Sequence, residues 1–116
     1  MLYIYTVIIQ QTMTMQEAVF TVTLCDYPGL PDPERSKAEA RYARMLERKL
    51  GGCEQVNETL ALVQDLEDMP PEEISDEAKQ AFARWMKAAR AAAEAGLQGL
   101  GESECCFFEV RRGPRH

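Results

Sequence analysis

The sequence predicts an α+β domain of order β-β-α-α-α-β, with a three-stranded antiparallel sheet and three helices packed on one of its faces. Two observations predict this class. Strand-like runs of β-branched and aromatic residues lie at both ends of the chain, and three segments with helical periodicity lie between them. At 116 residues, 46% of them hydrophobic and 28% charged, the chain is long enough for one domain with its own core. We expect this domain to span residues 1–111, followed by a basic tail over residues 112–116.

Three strands are predicted from residue type and alternation. Residues 2–9 are almost wholly β-branched, aromatic or aliphatic, which favours a central strand buried on both faces. Residues 19–25 alternate apolar and polar side chains, as a half-buried outer strand does. Residues 104–111 are predicted to form the last strand and to lie beside the first, on the side away from the second. The expected strand order is therefore 2-1-3.

The first helix is predicted from Asp32 as N-cap, with Pro33 at the first helical position, to Leu50, before the pair Gly51-Gly52. Its apolar side chains recur at helical spacing, which predicts one buried stripe. The stripe consists of Ala38, Tyr42, Met45 and Leu46.

Two more helices follow. One is predicted over residues 54–66, before the break at Met69-Pro70-Pro71, and its inward residues are Val56, Thr59, Leu60, Val63 and Leu66. The other begins after Ser75 as N-cap and closes at Gly96. Its predicted core stripe is Ala78, Phe82, Trp85, Ala89 and Ala92 or Ala93. The side chains expected to be buried include Phe20, Val22, Leu60, Phe82 and Trp85.

No residue pattern indicates a metal or cofactor site. The cysteines have no C-x-x-C spacing and the single histidine is the last residue, so we expect no metal and no cofactor. We interpret Cys25, Cys53, Cys105 and Cys106 as small buried hydrophobic residues of a reducing compartment. The apolar N-terminal run has no basic flank and is far shorter than the about 20 residues of a membrane span. These features predict a cytoplasmic protein without membrane contact.

Charge is distributed unevenly along the chain, whose net charge is −6. Between Leu50 and Ala78 there are nine acidic residues and no Lys or Arg. We call the part of the chain from Glu54 to Glu77 the acidic segment; its candidate binding residues are Glu54, Glu58, Asp65, Asp68, Glu72 and Glu73. The first helix carries an opposite group, the basic stripe, formed by Lys37, Arg41, Arg44 and Arg48. One interpretation is that these two groups neutralise each other across an antiparallel helical hairpin.

Catalysis is not indicated. There is no interior histidine, nucleophile elbow, P-loop or dinucleotide fingerprint, so we expect a protein that is not an enzyme. A helix-turn-helix regulator is an alternative, because three helices follow one another with short connections. However, the helix before the predicted recognition helix is acidic where it would have to cross phosphates, and the net charge of −6 disfavours direct duplex DNA binding.

A third hypothesis assigns the acidic segment a function. Carboxylates at helical spacing, continued by an acidic loop, could imitate a row of phosphates and occupy a basic groove on a protein or ribonucleoprotein complex. In size, charge and lack of an active-site motif, the chain is similar to the small acidic inhibitors of phages and mobile elements, such as anti-CRISPR and anti-restriction proteins. A dimeric structural or accessory protein is a further alternative, and a homodimer is compatible with all of these interpretations.

Overall fold

The computed structural model describes residues 20–101 and 106–113. In this part of the chain the elements are strand β1 (Phe20–Cys25), helices α1 (Asp32–Leu50), α2 (Cys53–Asp65) and α3 (Asp76–Leu97), and strand β2 (Phe107–Arg112). Two short 3-10 turns, Leu66–Asp68 and Pro71–Glu73, connect α2 to α3. The last strand begins later than predicted and includes Arg112, which was assigned to the tail.

The predicted three-stranded sheet of order 2-1-3 is wrong. The sheet of the described residues has two strands, and β1 pairs directly with β2 in antiparallel register, from Phe20 opposite Arg112 to Cys25 opposite Phe107. The predicted central strand over residues 2–9 lies outside the described residues. The prediction failed because strand propensity shows that a segment fits a sheet but does not show which edge it joins. A broadly α+β class remains compatible with the observed elements.

Side chains of α1 occupy the outer edge of β1 near its end. The backbone N–H of Leu24 donates to the Glu39 carboxylate at 2.9 Å, and its carbonyl accepts a hydrogen bond from the Arg35 guanidinium. Because Arg35 and Glu39 are one helical turn apart on α1, they reach the same strand residue together. This pair ties β1 to α1 through the backbone as well as through apolar packing.

The helix ends follow the sequence with one shift. Ser75 caps α3 as predicted, because its hydroxyl accepts a hydrogen bond from the Ala78 N–H at 3.1 Å. The N-cap of α1 is Pro31 instead of Asp32, and no side chain caps it. Helix α1 ends at Gly51, whose φ of 101° is in the left-handed region that glycine tolerates best.

The core lies where α1 and α3 pack against each other, under the apolar face of β1. Ala38, Tyr42 and Leu46 of α1 are buried, and Phe20 and Val22 of β1 pack over them. From α2, the predicted inward residues Val56, Thr59 and Leu60 are buried. The expectation of burial is therefore confirmed for Phe20, Val22 and Leu60.

The predicted core stripe of α3 is confirmed at Ala78 and Ala92 and wrong at Phe82, because the helix is rotated relative to the prediction. The side chain of Phe82 is 45% exposed and Trp85 is only partly buried. The buried residues of α3 are all small: Ala78, Ala81, Ala88, Ala92 and Gly96. Small side chains let α1 and α3 approach closely, and this close contact determines which face of α3 turns inward. Hydrophobicity alone favoured the face with the largest side chains.

Gly96 makes room for an aromatic stack between α1 and β2. The rings of Tyr42 and Phe108 lie with centroids 4.3 Å apart and an interplanar angle of 25°. A Cβ atom at residue 96 would lie 2.6 Å from Cζ of Phe108 and 3.2 Å from the carbonyl oxygen of Ala38. Residue 96 is therefore best occupied by glycine because the Phe108 ring leaves no room for a Cβ atom, and not only because the helix ends nearby.

Burial of Tyr42 predicts a loss of stability at high pH. Desolvation raises the pKa of its phenol from 10.0 to about 12. Between these values the native state keeps a proton that the unfolded chain has lost, so the stabilisation is complete below pH 10 and disappears as the pH rises through about 12. We expect the Tm of the native protein to fall more steeply over this range than that of Tyr42→Phe, which keeps the ring but cannot ionise. Thermal melts followed by circular dichroism measure this, and two parallel curves would contradict it.

Candidate functional site

The acidic segment lies on the solvent side of α2 and on the two 3-10 turns that follow. Its carboxylates are presented by a regular helix first and by two short turns after it, and Ile74 is the one partly buried residue between Glu72 and Glu77. All six candidate residues are exposed: Glu54, Glu58, Asp65, Asp68, Glu72 and Glu73. The helix brings Glu54 and Glu58 to one face, one turn apart, as the spacing predicted.

Mutual neutralisation of the acidic segment and the basic stripe is not observed. Within the described residues, none of the six carboxylates forms an ion pair with Lys or Arg; an ion pair is present on β2, between Glu109 and Arg111 at 3.3 Å. The reason is geometric, because α1 packs most extensively against α3 and only lightly against α2. The two charged groups therefore do not face each other as the sides of a two-helix hairpin.

The basic stripe divides into a structural residue and three exposed ones. Arg41 donates hydrogen bonds to the carbonyl oxygens of Ala95 at 3.0 Å, Gly96 at 2.8 Å and Gln98 at 3.2 Å. A guanidinium at this position satisfies the last carbonyls of α3 and complements the negative end of the helix dipole. The remaining members, Lys37, Arg44 and Arg48, point to solvent.

Lys37 and Arg44 also line a shallow surface depression on α1, together with Ser36, Ala40 and Arg41. This depression brings cationic groups together and is open to solvent. One member of the basic stripe, Arg41, therefore links α1 to the end of α3. The sequence spacing of the stripe did not predict this structural role.

The three described cysteines, Cys25, Cys53 and Cys106, are partly buried, which corrects the expectation that they are buried. Burial raises the pKa of the Cys25 thiol, and the carboxylates of Glu109 and Asp26 raise it further. Burial is the main cause that raises the pKa of the Cys53 thiol, and the negative charge of Glu47 raises it further. A hydrogen bond from the backbone of Phe20 lowers this pKa in part. Both thiols are therefore poorer nucleophiles than an ordinary cysteine. Cys105 lies outside the described residues.

Within the described ranges, no group of three or more His, Cys, Asp or Glu side chains is arranged to hold a metal ion. The helices of the same ranges are also too short or too polar to cross a membrane.

An apolar groove that the sequence pattern did not predict lies between α3 and β2. Met86 is 47% exposed and Phe107 is 50% exposed, and both line this groove. The other lining residues are Tyr42, Ala89, Arg90, Ala93, Leu97, Cys106 and Phe108. The groove follows from the rotation of α3 described above, since burying the alanine face turns part of the apolar residues outward. The sequence signal that could have predicted this groove is the presence of two different apolar faces on α3.

Comparison with protein-family models, with curated proteins and with solved structures finds no match to this chain.

Proposed function

We propose that this protein is a non-catalytic binding protein that acts through its acidic segment on a basic surface of another macromolecule. The observation that supports this is the exposure of six carboxylates on α2 and the following turns, none of which has a cationic partner among the described residues. Like charges gathered on one side of a small domain repel each other, and a basic partner relieves this repulsion. Binding would occur in the cytoplasm and would need no cofactor.

The partner class that fits this surface best is a protein or ribonucleoprotein complex that handles nucleic acid. Such complexes present grooves lined by Lys and Arg, and carboxylates held on a helix can replace phosphates there. In this proposal the protein is an inhibitor that competes with nucleic acid, similar in profile to the phage and mobile-element inhibitors named above. It would not itself bind duplex DNA.

Reversing three charges on α2 tests the proposal. We expect Glu54→Lys, Glu58→Lys and Asp65→Lys together to slow association with the partner by about tenfold or more, because long-range attraction governs the encounter rate. The Tm should change little, because exposed charges contribute about 0–1 kcal/mol each to folding. Partners are first captured from the native host and identified by mass spectrometry, and association rates are then measured by biolayer interferometry at several salt concentrations.

The matched control reverses three exposed cations of α1, with Lys37→Glu, Arg44→Glu and Arg48→Glu. Arg41 is left unchanged because it binds the end of α3. We expect this control to bind the partner at the native rate or faster. If every captured partner still binds the acidic-segment variant normally, the proposal is refuted. Loss of binding in the control alone would move the interface to the basic stripe.

A further inference from the structure

The outer edge of β2 presents backbone groups that no strand of the described residues pairs with. Leu24 gives its N–H and C=O to Glu39 and Arg35 on α1, so these groups point away from β2. Residues opposite each other in an antiparallel pair share the same bonding phase, and Leu24 is opposite Phe108. Phe108 therefore points its own N–H and C=O away from β1. Along β2 the same holds for every second residue, which adds Val110 and Arg112.

We propose that two copies of this chain associate through this edge, with their β2 strands paired antiparallel about a two-fold axis at Val110. The two described strands of each copy then become part of one continuous sheet. Val110 lies opposite its own copy, and Phe108 lies opposite Arg112 of the second copy. These are the residues whose N–H and C=O groups point outward, so each of these opposed pairs can exchange hydrogen bonds. The contact is isologous, as in most homodimers.

Charge selects this register over its neighbours. With the axis at Val110, Glu109 of each copy lies directly opposite Arg111 of the other, on the solvent-exposed face of the sheet. A shift of the axis by one residue in either direction places Glu109 opposite Glu109 or Arg111 opposite Arg111. Opposite charges across an antiparallel pair are stabilising, and like charges are destabilising. The sequence of β2 is thus complementary to itself in one register.

The apolar groove lies on the same flank of β2. Its lining residues come from α3, α1 and the start of β2, and none comes from β1, which pairs with the other edge. Exposed Met86 and Phe107 therefore lie beside the edge at which the second copy arrives. Strand pairing next to exposed apolar side chains supplies both hydrogen bonds and burial to the same contact. The proposed dimer contact does not involve the acidic segment, and it can be tested separately from the proposed function.

Charge exchange on β2 provides the test. We expect the native protein to sediment in analytical ultracentrifugation as a dimer, at twice the 13.1 kDa of the chain. Glu109→Arg and Arg111→Glu should each weaken dimerisation by about tenfold or more, since two opposed pairs per dimer become repulsive. An equimolar mixture of the two variants should form a heterodimer, because each arginine of one chain then faces a glutamate of the other. Arg44→Glu, an exposed reversal on α1, is the control and should dimerise like the native protein.

Hydrogen exchange of the native protein gives a second measurement that does not depend on variant folding. The amides of Phe108, Val110 and Arg112 should become protected as the protein concentration rises, while those of the alternate residues are protected at every concentration by β1. A native protein that sediments as one chain at all accessible concentrations overturns the proposal. So does a dimer that neither variant weakens, a variant mixture that stays monomeric, or a dimer whose formation leaves the three amides unprotected.

Discussion

Replacing Leu46 by alanine is expected to lower the free energy of unfolding by about 3 kcal/mol, because the deletion leaves a cavity in a tightly packed site. Leu46 is fully buried in the cluster that joins α1 to β1, α2 and α3. For a chain of this size the loss corresponds to a fall in Tm of roughly 10 °C or more. Urea denaturation and thermal melts followed by circular dichroism measure both quantities.

Leu62→Ala is the matched control for this change. It makes the same substitution at a position of α2 that is 38% exposed. We expect a change of about 0.5 kcal/mol or less there, as for most surface substitutions. Equal losses in the two variants would mean that the core does not lie where α1 meets the other elements.

Enlarging Ala92 is expected to be comparably harmful. Ala92 is fully buried and belongs to the same cluster as Tyr42 and Leu46. Ala92→Leu adds three carbons at a fully buried position of the contact between helices, so either the side chains strain or α3 moves away from α1. We expect a loss of about 3 kcal/mol, at the upper end of the usual range for overpacking. The free energy of unfolding in urea is the measurement.

Ala83→Leu is the control on the same helix. Ala83 is exposed, so the larger side chain meets solvent instead of α1. Its effect should be within about 0.5 kcal/mol. This pair of variants also tests which face of α3 is buried. A harmful Ala83→Leu and a harmless Ala92→Leu would contradict the burial of Ala92.

Local signals in the sequence predicted most of the helices and their inward faces. The serine cap at Ser75, the break at Gly51 and the stripe of Ala38, Tyr42 and Leu46 are determined by neighbours within a few residues. Sheet order and the rotation of α3 are decided by contacts between distant parts of the chain. Periodicity could not show that small residues would face α1 while Phe82 remained exposed, because both faces of α3 are apolar.

The features of the candidate surfaces also fall into those that the local sequence predicts and those that depend on contacts between distant parts of the chain. Exposure of Glu54, Glu58 and Asp65 could be predicted from their position opposite the apolar stripe of α2. The different roles of the residues in the basic stripe could not be predicted. Arg41 differs from Arg44 because the end of α3 lies beside it, and the sequence spacing does not show this contact. The edge of β2 that no described strand covers could not be predicted either, because its position depends on which strand pairs with β1.

The two hydrogen bonds between Leu24 and the side chains of Arg35 and Glu39 have a consequence for assembly. They close one end of the β1 edge against an incoming strand, which would have to displace a guanidinium and a carboxylate held by α1. At Leu24, β1 therefore has no backbone N–H or C=O to offer to an incoming strand, and a strand that pairs there must first break both hydrogen bonds.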